Sequence, residues 1–183
     1  MAGDQHTRLS RRVIDDWGYL ALVDPDAYET FVDFGADEWD ERRIRAHLAV
    51  QMRHRRLLVW DSGMENIWNL GVSLGAVAGR GFREAVGPIR CTGGRLLLTS
   101  FNSLSMAAQF ADVTLPEPHE ADQLLSVAPG EYHCRIVQLR DHALGAADPK
   151  APGEPDYLLE LLPADAPLPA WTAIRWDRHA ERA

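Results

Sequence analysis

Short segments of alternating apolar and polar residues, separated by turn residues about every ten positions, place the tightest limit on the fold of this chain. In residues 67–74, every second side chain from Trp68 to Leu74 would lie on one face of a strand. Gly93-Gly94 and similar sequences are typical of the tight turns that end such strands. Only one segment has strong helical periodicity. The pattern therefore predicts a mainly β fold, an antiparallel β-sandwich with one amphipathic α-helix packed on it.

The strands can be assigned individually from this alternation. Two pairs of them flank short turns and are predicted to form hairpins: 88–92 with 95–101, and 124–127 with 131–139. Residues 28–34 fit either a strand or a loop, and residues 103–110 a short helix. Residues 1–12 are predicted to be a loose polar arm and 143–155 an exposed loop, within a single domain spanning 1–183. The predicted strands are 17–23, 57–60, 67–74, 88–92, 95–101, 124–127, 131–139 and 156–162.

The helix is predicted at residues 38–55. Asp37 is the expected N-cap, because a carboxylate there accepts hydrogen bonds from the first free backbone N–H groups. Ile44, Leu48 and Met52 follow at a spacing of four residues, which places them on one buried face. Acidic residues in the first turn and arginines in the last turn match the helix dipole.

Charge is strongly segregated around this helix. Residues 13–41 contain ten carboxylates and no Lys or Arg, whereas residues 42–56 contain six arginines and no acid. The net charge of −8 argues against direct binding to nucleic acid or to an anionic membrane, and permits a basic protein partner. One interpretation is solubility alone. The other is an acidic surface that imitates a phosphate backbone and docks on a cationic groove. The residues predicted to contact such a partner are Asp24, Asp26, Glu29 and Asp33.

No catalytic, metal-binding or cofactor-binding motif is present in the sequence. The densest polar group, His119, Glu120 and Asp122, lacks the HExxH spacing of a zinc site, and no phosphate-binding glycine loop or GxSxG motif occurs. The prediction is therefore no enzyme activity, no metal and no cofactor. One alternative stays open: a pocket near these three residues that binds a small ligand or supports hydrolysis.

Cys91 and Cys134 each lie in a predicted strand, where two free, buried thiols are expected, with a disulfide as the alternative. The polar first ten residues do not resemble a signal peptide, and no apolar run approaches the ~20 residues of a membrane helix. These features predict a cytoplasmic protein. A single lysine among 19 basic residues is typical of a GC-rich bacterial genome.

From Trp60 to about Pro163, the order of turns and strands resembles the ComJ-type nuclease inhibitors, bacterial proteins that block the DNA-entry nuclease of competence. The helix at 38–55 and the tail after Leu162 depart from the family pattern, and no functional residue transfers position by position. The resemblance implies a β-rich, non-catalytic binder of a nuclease or toxin, of the kind that serves as an immunity protein. It rests on Gly81-Phe82, Gly87-Pro88-Ile89, Leu98-Thr99-Ser100-Phe101, Leu115-Pro116, Pro129-Gly130-Glu131-Tyr132 and Asp156-Tyr157.

The leading hypothesis from the sequence is thus an inhibitor whose acidic face occludes a basic nuclease or another toxin. A structural or regulatory subunit is the remaining alternative, with the arginine-rich end of the helix, residues 53–56, as its contact surface. Neither hypothesis fixes the oligomeric state.

Overall fold

Two β-sheets packed face to face form the protein, as seen in a computed structural model that describes residues 8–32, 40–77, 79–147 and 150–180. The five-stranded sheet has the order β1-β4-β9-β8-β5, and the four-stranded sheet has the order β3-β2-β6-β7. The mainly β sandwich predicted from the sequence is confirmed. The strands are β1 (Arg8–Asp15), β2 (Tyr19–Val23), β3 (Leu57–Asp61), β4 (Asn66–Leu74), β5 (Arg83–Cys91), β6 (Arg95–Ser100), β7 (Leu124–Ser126), β8 (Gly130–Gln138) and β9 (Tyr157–Pro163).

An aromatic cluster joins the two sheets at the centre of the core. Trp68 of β4 and Tyr157 of β9 meet edge to face with ring centroids 5.5 Å apart, and Trp60 of β3 lies 6.3 Å from Tyr157 across the interface. All three side chains are fully buried. Such ring pairs add about 1 kcal/mol each to the stabilisation from burying their surface.

The amphipathic helix, α1, spans Glu41–Arg53 and packs on β3. Ile44, Leu48 and Met52 are fully buried, as their spacing predicts. The N-cap prediction was wrong: the cap is Asp40, whose carboxylate accepts hydrogen bonds from the backbone N–H groups of residues 42 and 43 at 2.9 and 3.4 Å. Asp37 lies outside the described residues. Both positions carry an aspartate followed by acids, so residue preference alone does not distinguish them.

Three further elements surround the sheets. A second helix, α2 (Phe101–Gln109), begins two residues before the predicted short helix, and its N-cap is Ser100. Two 3-10 helices occupy Pro118–Gln123 and His142–Ala147, and the second overlaps the start of the segment predicted to be a loop, 143–155. Residues 28–32 are irregular, which favours the loop over the strand for the described part of 28–34.

The prediction of a loose arm at residues 1–12 was wrong for the part that the structure describes. Residues 8–15 form β1, which pairs antiparallel with β4 from Arg8↔Ser73 to Asp15↔Asn66. Val13 is buried and Leu9 packs against the core, so the strand has the usual alternation. Three arginines in this stretch obscure the alternation in the sequence.

Both predicted hairpins were also wrong. β5 pairs with β8, whereas β6 pairs with β2 and β7, so the Gly93-Gly94 turn carries the chain from one sheet to the other. The turn before β8 makes the same crossing in the opposite direction. Turn residues specify a reversal of the chain but not the partner of the strand that follows. In addition, β4 and β9 run parallel, an exception to the predicted antiparallel arrangement.

The chain after β9 packs back onto the sandwich. Trp171 and Ile174 are buried, and Arg175 makes a parallel bridge with β3, where its N–H donates to the Val59 carbonyl and its carbonyl accepts from the Asp61 N–H, both at 2.9 Å. We call residues 171–178 the C-terminal strap.

Both cysteines are free and buried, as predicted, and burial raises the pKa of each thiol. A thiol with a raised pKa is a weak nucleophile at neutral pH. Within the described ranges, no helix is long and apolar enough to cross a membrane.

Candidate functional site

Asp24, the first residue predicted to contact a partner, is buried at the end of β2. Its carboxylate accepts hydrogen bonds from the backbone N–H groups of Asp26 at 3.1 Å and Thr92 at 2.8 Å, while its own N–H donates to the Arg56 carbonyl. Asp24 therefore joins the loop after β2 to the connection between α1 and β3 and to the turn before β6. Its hydrogen bonds hold the loop after β2 in place from the interior of the protein. We call this loop, described from residue 24 to residue 32, the acidic loop.

Asp26 lies on the surface of that loop and forms a bidentate pair with Arg95. The Nε and Nη2 atoms of Arg95 lie 2.9 and 2.6 Å from the two carboxylate oxygens. This guanidinium lowers the pKa of Asp26, so the carboxylate is ionised at neutral pH. Gly93 leaves room for this geometry, because a side chain at that position would displace the Asp26 carboxylate. The pair fixes the direction of the carboxylate.

Glu29 is the most exposed of the described candidates, with 60% of its side chain accessible to solvent. Its carboxylate accepts hydrogen bonds from Arg56 at 2.7 Å and from Gln51 at 3.2 Å. The Arg56 hydrogen bond lowers the pKa of Glu29. Asp33, the fourth candidate, lies outside the described residues.

The fold thus brings cations to an acidic segment that contains none in sequence. Arg95 lies 69 residues after Asp26, and Arg56 lies 27 residues after Glu29. Nothing in the local sequence indicates either pairing. The local field of the acidic loop is therefore weaker than its composition suggests, and what remains is a set of ionised, oriented carboxylates.

His119, Glu120 and Asp122, the alternative site, all line one groove of about 880 Å³. His119 and Asp122 are exposed and lie three residues apart in a 3-10 helix, a spacing that puts side chains on the same side. Glu120 is buried, and both its oxygens are engaged: one accepts from the Thr99 hydroxyl and the other from the Glu117 N–H at 3.0 Å. Glu120 is thus part of a capping box and is not free to act as a base.

The opposite wall of this groove comes from β1 and β4, and the sequence analysis missed it because residues 8–12 were assigned to a loose arm. Arg12, Ile14 and Ile67 line it, and the two isoleucines face each other across the strands. The Ile14 and Ile67 side chains are 56% and 45% exposed, which is unusual for a cross-strand apolar pair. Ser100, Asn102 and Ser103 close the groove at the start of α2.

Among the residues that the structure describes, no three His, Cys, Asp or Glu side chains are grouped as a metal site would require. At the arginine-rich end of α1, Arg53 and His54 are exposed, while Arg55 and Arg56 form ion pairs with Glu131 and Glu29.

Comparison with known proteins gives a fold but no family. No protein-family model matches the sequence, and no curated protein matches it. The solved structure of ComJ from Bacillus subtilis, an inhibitor of the DNA-degrading activity of NucA, superimposes with a TM-score of 0.50 and 6% sequence identity over 85% of this chain and 96% of ComJ. A second structure, described as crocagin biosynthetic gene J, gives a TM-score of 0.55 and 14% identity over 85% of this chain and 95% of the other. The resemblance to ComJ that the sequence predicted is confirmed for the fold.

Proposed function

We propose that this protein is a non-catalytic, cytoplasmic binding module that inhibits a nuclease or another toxin, in the manner of an immunity protein. The observation that carries the proposal is the sandwich that it has in common with ComJ, a nuclease inhibitor, over 85% of the chain. The net charge of −8 supports a basic partner, because complementary charge accelerates encounter and fixes register. Inhibition would occur by occlusion: the acidic loop lies on the basic substrate groove and excludes nucleic acid.

The contact surface in this proposal is the loop after β2, with Asp26 and Glu29 as the residues that touch the partner. Their carboxylates are ionised and held by Arg95 and Arg56, so little side-chain entropy is lost when they bind. Asp24 supports the loop from inside the protein. Asp33 is proposed as a further contact of the same surface.

The double variant Asp26→Asn and Glu29→Gln is expected to weaken binding to the partner nuclease about tenfold or more, mostly through a slower association rate. Both side chains keep their size, so the loss reports on charge. The measurement is surface plasmon resonance at two salt concentrations against a panel of basic nucleases, together with inhibition of DNA cleavage.

A matched control is the double variant Glu65→Gln and Asp112→Asn, which removes two exposed carboxylates elsewhere on the surface. It removes the same two negative charges and should change the affinity by less than about threefold. Equal losses in the two double variants would argue for general electrostatic attraction rather than this surface. Failure of the unmodified protein to bind or inhibit any nuclease in the panel would refute the proposed function.

Small-ligand binding is a second candidate function, favoured by the convergence of His119, Glu120 and Asp122 on one groove. Because the Glu120 carboxylate is engaged, recognition would depend on His119 and Asp122. We expect a bound ligand to shift the NMR signals of these two residues, and His119→Ala to abolish the shifts. If no compound in a small-molecule library shifts the NMR signals of residues in this groove, ligand binding there is excluded as a function.

A further inference from the structure

Three of the four sheet edges in the described structure are blocked. The C-terminal strap covers β3 through Arg175. On β5, the Arg90 N–H donates to the Arg55 carbonyl at 2.8 Å, and the Trp171 indole donates to the Val86 carbonyl at 3.0 Å. β7 has only three residues, and the Arg11 guanidinium lies 3.3 Å from its Leu124 carbonyl. Protection of this kind prevents sheets from pairing with other chains.

The fourth edge, β1, is open on its outer side. All eight residues of β1 pair with β4, and no backbone group of another described strand or loop pairs with its outer edge; the Arg11 guanidinium donates to the Ser10 carbonyl of the strand at 2.9 Å. An eight-residue strand offers about 26 Å of edge, with alternate backbone N–H and C=O groups pointing outward. A long open edge is a template for an added strand.

The large groove lies along this same edge. It is bounded by Arg11, Arg12 and Ile14 on β1 and by the 3-10 helix at 118–123 on the other side, so it can accommodate a chain lying beside β1. Arg12 and Ile14 are two residues apart and project from one face of the sheet. An added strand would therefore have one side chain beside the Arg12 guanidinium and a second, two positions away on the same face, beside Ile14.

Charge on the strand argues against a second copy of this chain as the occupant. In a twofold-symmetric antiparallel pair, residues directly opposite each other must lie on the same face of the sheet. The two registers that satisfy this and pair seven residues place either Arg11 or Arg12 opposite its own copy. Like charges directly opposite each other are destabilising. Because Asp16 and the exposed Asp122 also line the groove, a carboxylate of an added strand from another protein would be stabilised at the position opposite Arg12.

From this geometry we propose that the outer edge of β1 binds an extended segment of a partner protein as an added strand, with an acidic and an apolar residue two positions apart opposite Arg12 and Ile14. This goes beyond the proposed function and does not depend on it. The acidic loop contacts Arg95 at the start of β6, whereas the groove includes Ser100 at its end, about 17 Å away.

The test is selection from a display library of random eight-residue peptides against the full-length protein. Enriched peptides should carry a carboxylate two positions from an apolar residue, and Arg12→Glu should weaken their binding about tenfold or more while favouring peptides with a basic residue at the same position. Bound peptide should slow hydrogen exchange at alternate amides of β1 about tenfold or more, because only those amides point outward.

Arg42→Glu, an equal charge change at an exposed site on α1, is the control and should leave peptide binding unchanged. The double variant Asp26→Asn and Glu29→Gln should likewise leave it unchanged, which separates this surface from the acidic loop. The proposal is overturned if no peptide is enriched, if enrichment is insensitive to Arg12→Glu, or if sedimentation shows a dimer that this variant abolishes.

Discussion

Replacing Asp15 by alanine is expected to lower the free energy of unfolding by about 4 kcal/mol, because its buried carboxylate is the acceptor for five hydrogen bonds. One oxygen accepts from the backbone N–H groups of residues 17–19, the shortest at 2.8 Å. The other accepts from the Ser62 hydroxyl at 2.6 Å and the Trp68 indole at 3.1 Å. Alanine would leave these donors without a partner in the interior, where each unsatisfied group costs about 1 kcal/mol or more.

The measurement is urea-induced unfolding followed by tryptophan fluorescence, with a fall in melting temperature of about 8 to 16 °C as a second readout. The neighbouring variant Asp16→Ala is the matched control. Asp16 is exposed, so its removal should change the free energy of unfolding by less than about 0.5 kcal/mol. Similar losses for the two variants would show that Asp15 does not connect the strands as the geometry indicates.

Asp15 also shows why the composition of residues 13–41 overestimates the negative charge on the surface. Asp15 is one of ten carboxylates between residues 13 and 41, but Asp15 and Asp24 are both buried and accept hydrogen bonds inside the protein. The signal that could have distinguished Asp15 is its place after an alternating strand and before Trp17-Gly18, where a turn needs an acceptor for its N–H groups. That signal can be recognised only if residues 8–15 are first identified as a strand. The three arginines in the strand obscured its alternation.

Apart from β1, the strand positions followed from the sequence, while the strand partners did not. The alternation correctly placed Trp68, Leu70 and Val72 on a buried face of β4, because burial on one side of a strand imposes a period of two. It was wrong at the end of the strand, where Leu74 is exposed and Ser73 is buried. The Gly93-Gly94 turn correctly marked a reversal, but the two strands that flank it belong to different sheets. Pairing in a sandwich depends on contacts between residues distant in the chain, which local turn chemistry does not encode.

The groove at residues 119–122 was likewise predicted from the sequence only in part. His119, Glu120 and Asp122 were identified as a group from their closeness in sequence, and the fold places all three on one groove. The sequence did not reveal that Glu120 is engaged by Thr99, 21 residues earlier, or that β1 supplies the opposite wall. Residues that lie close in sequence give one side of a groove, and the fold supplies the other.

Replacing Trp171 by alanine is expected to lower the free energy of unfolding by about 3 to 4 kcal/mol, the usual cost of removing a large aromatic side chain from a packed interior. Trp171 anchors the C-terminal strap. Its side chain is 3% exposed, its indole N–H donates to the Val86 carbonyl at 3.0 Å, and the Arg175 guanidinium lies 4.8 Å from its ring centroid. The loss also uncovers part of the β5 edge, so we expect the variant to self-associate at concentrations where the unmodified protein does not.

Gly87 provides a sharper test of the same contact. A Cβ atom at Gly87 would lie 2.7 Å from both Trp171 Cε2 and Leu58 Cδ2, so Gly87→Ala should cost about 1 to 3 kcal/mol in the unmodified protein. In the Trp171→Ala background the clash with Trp171 is absent and that with Leu58 remains, so the same substitution should cost at least about 1 kcal/mol less. Trp17→Ala, at a tryptophan that is 46% exposed, controls for general loss of an aromatic ring and should not change the cost of Gly87→Ala. Strict additivity of Gly87→Ala and Trp171→Ala would mean that Trp171 does not pack on β5, and that the strap is held by its contacts with β3 alone.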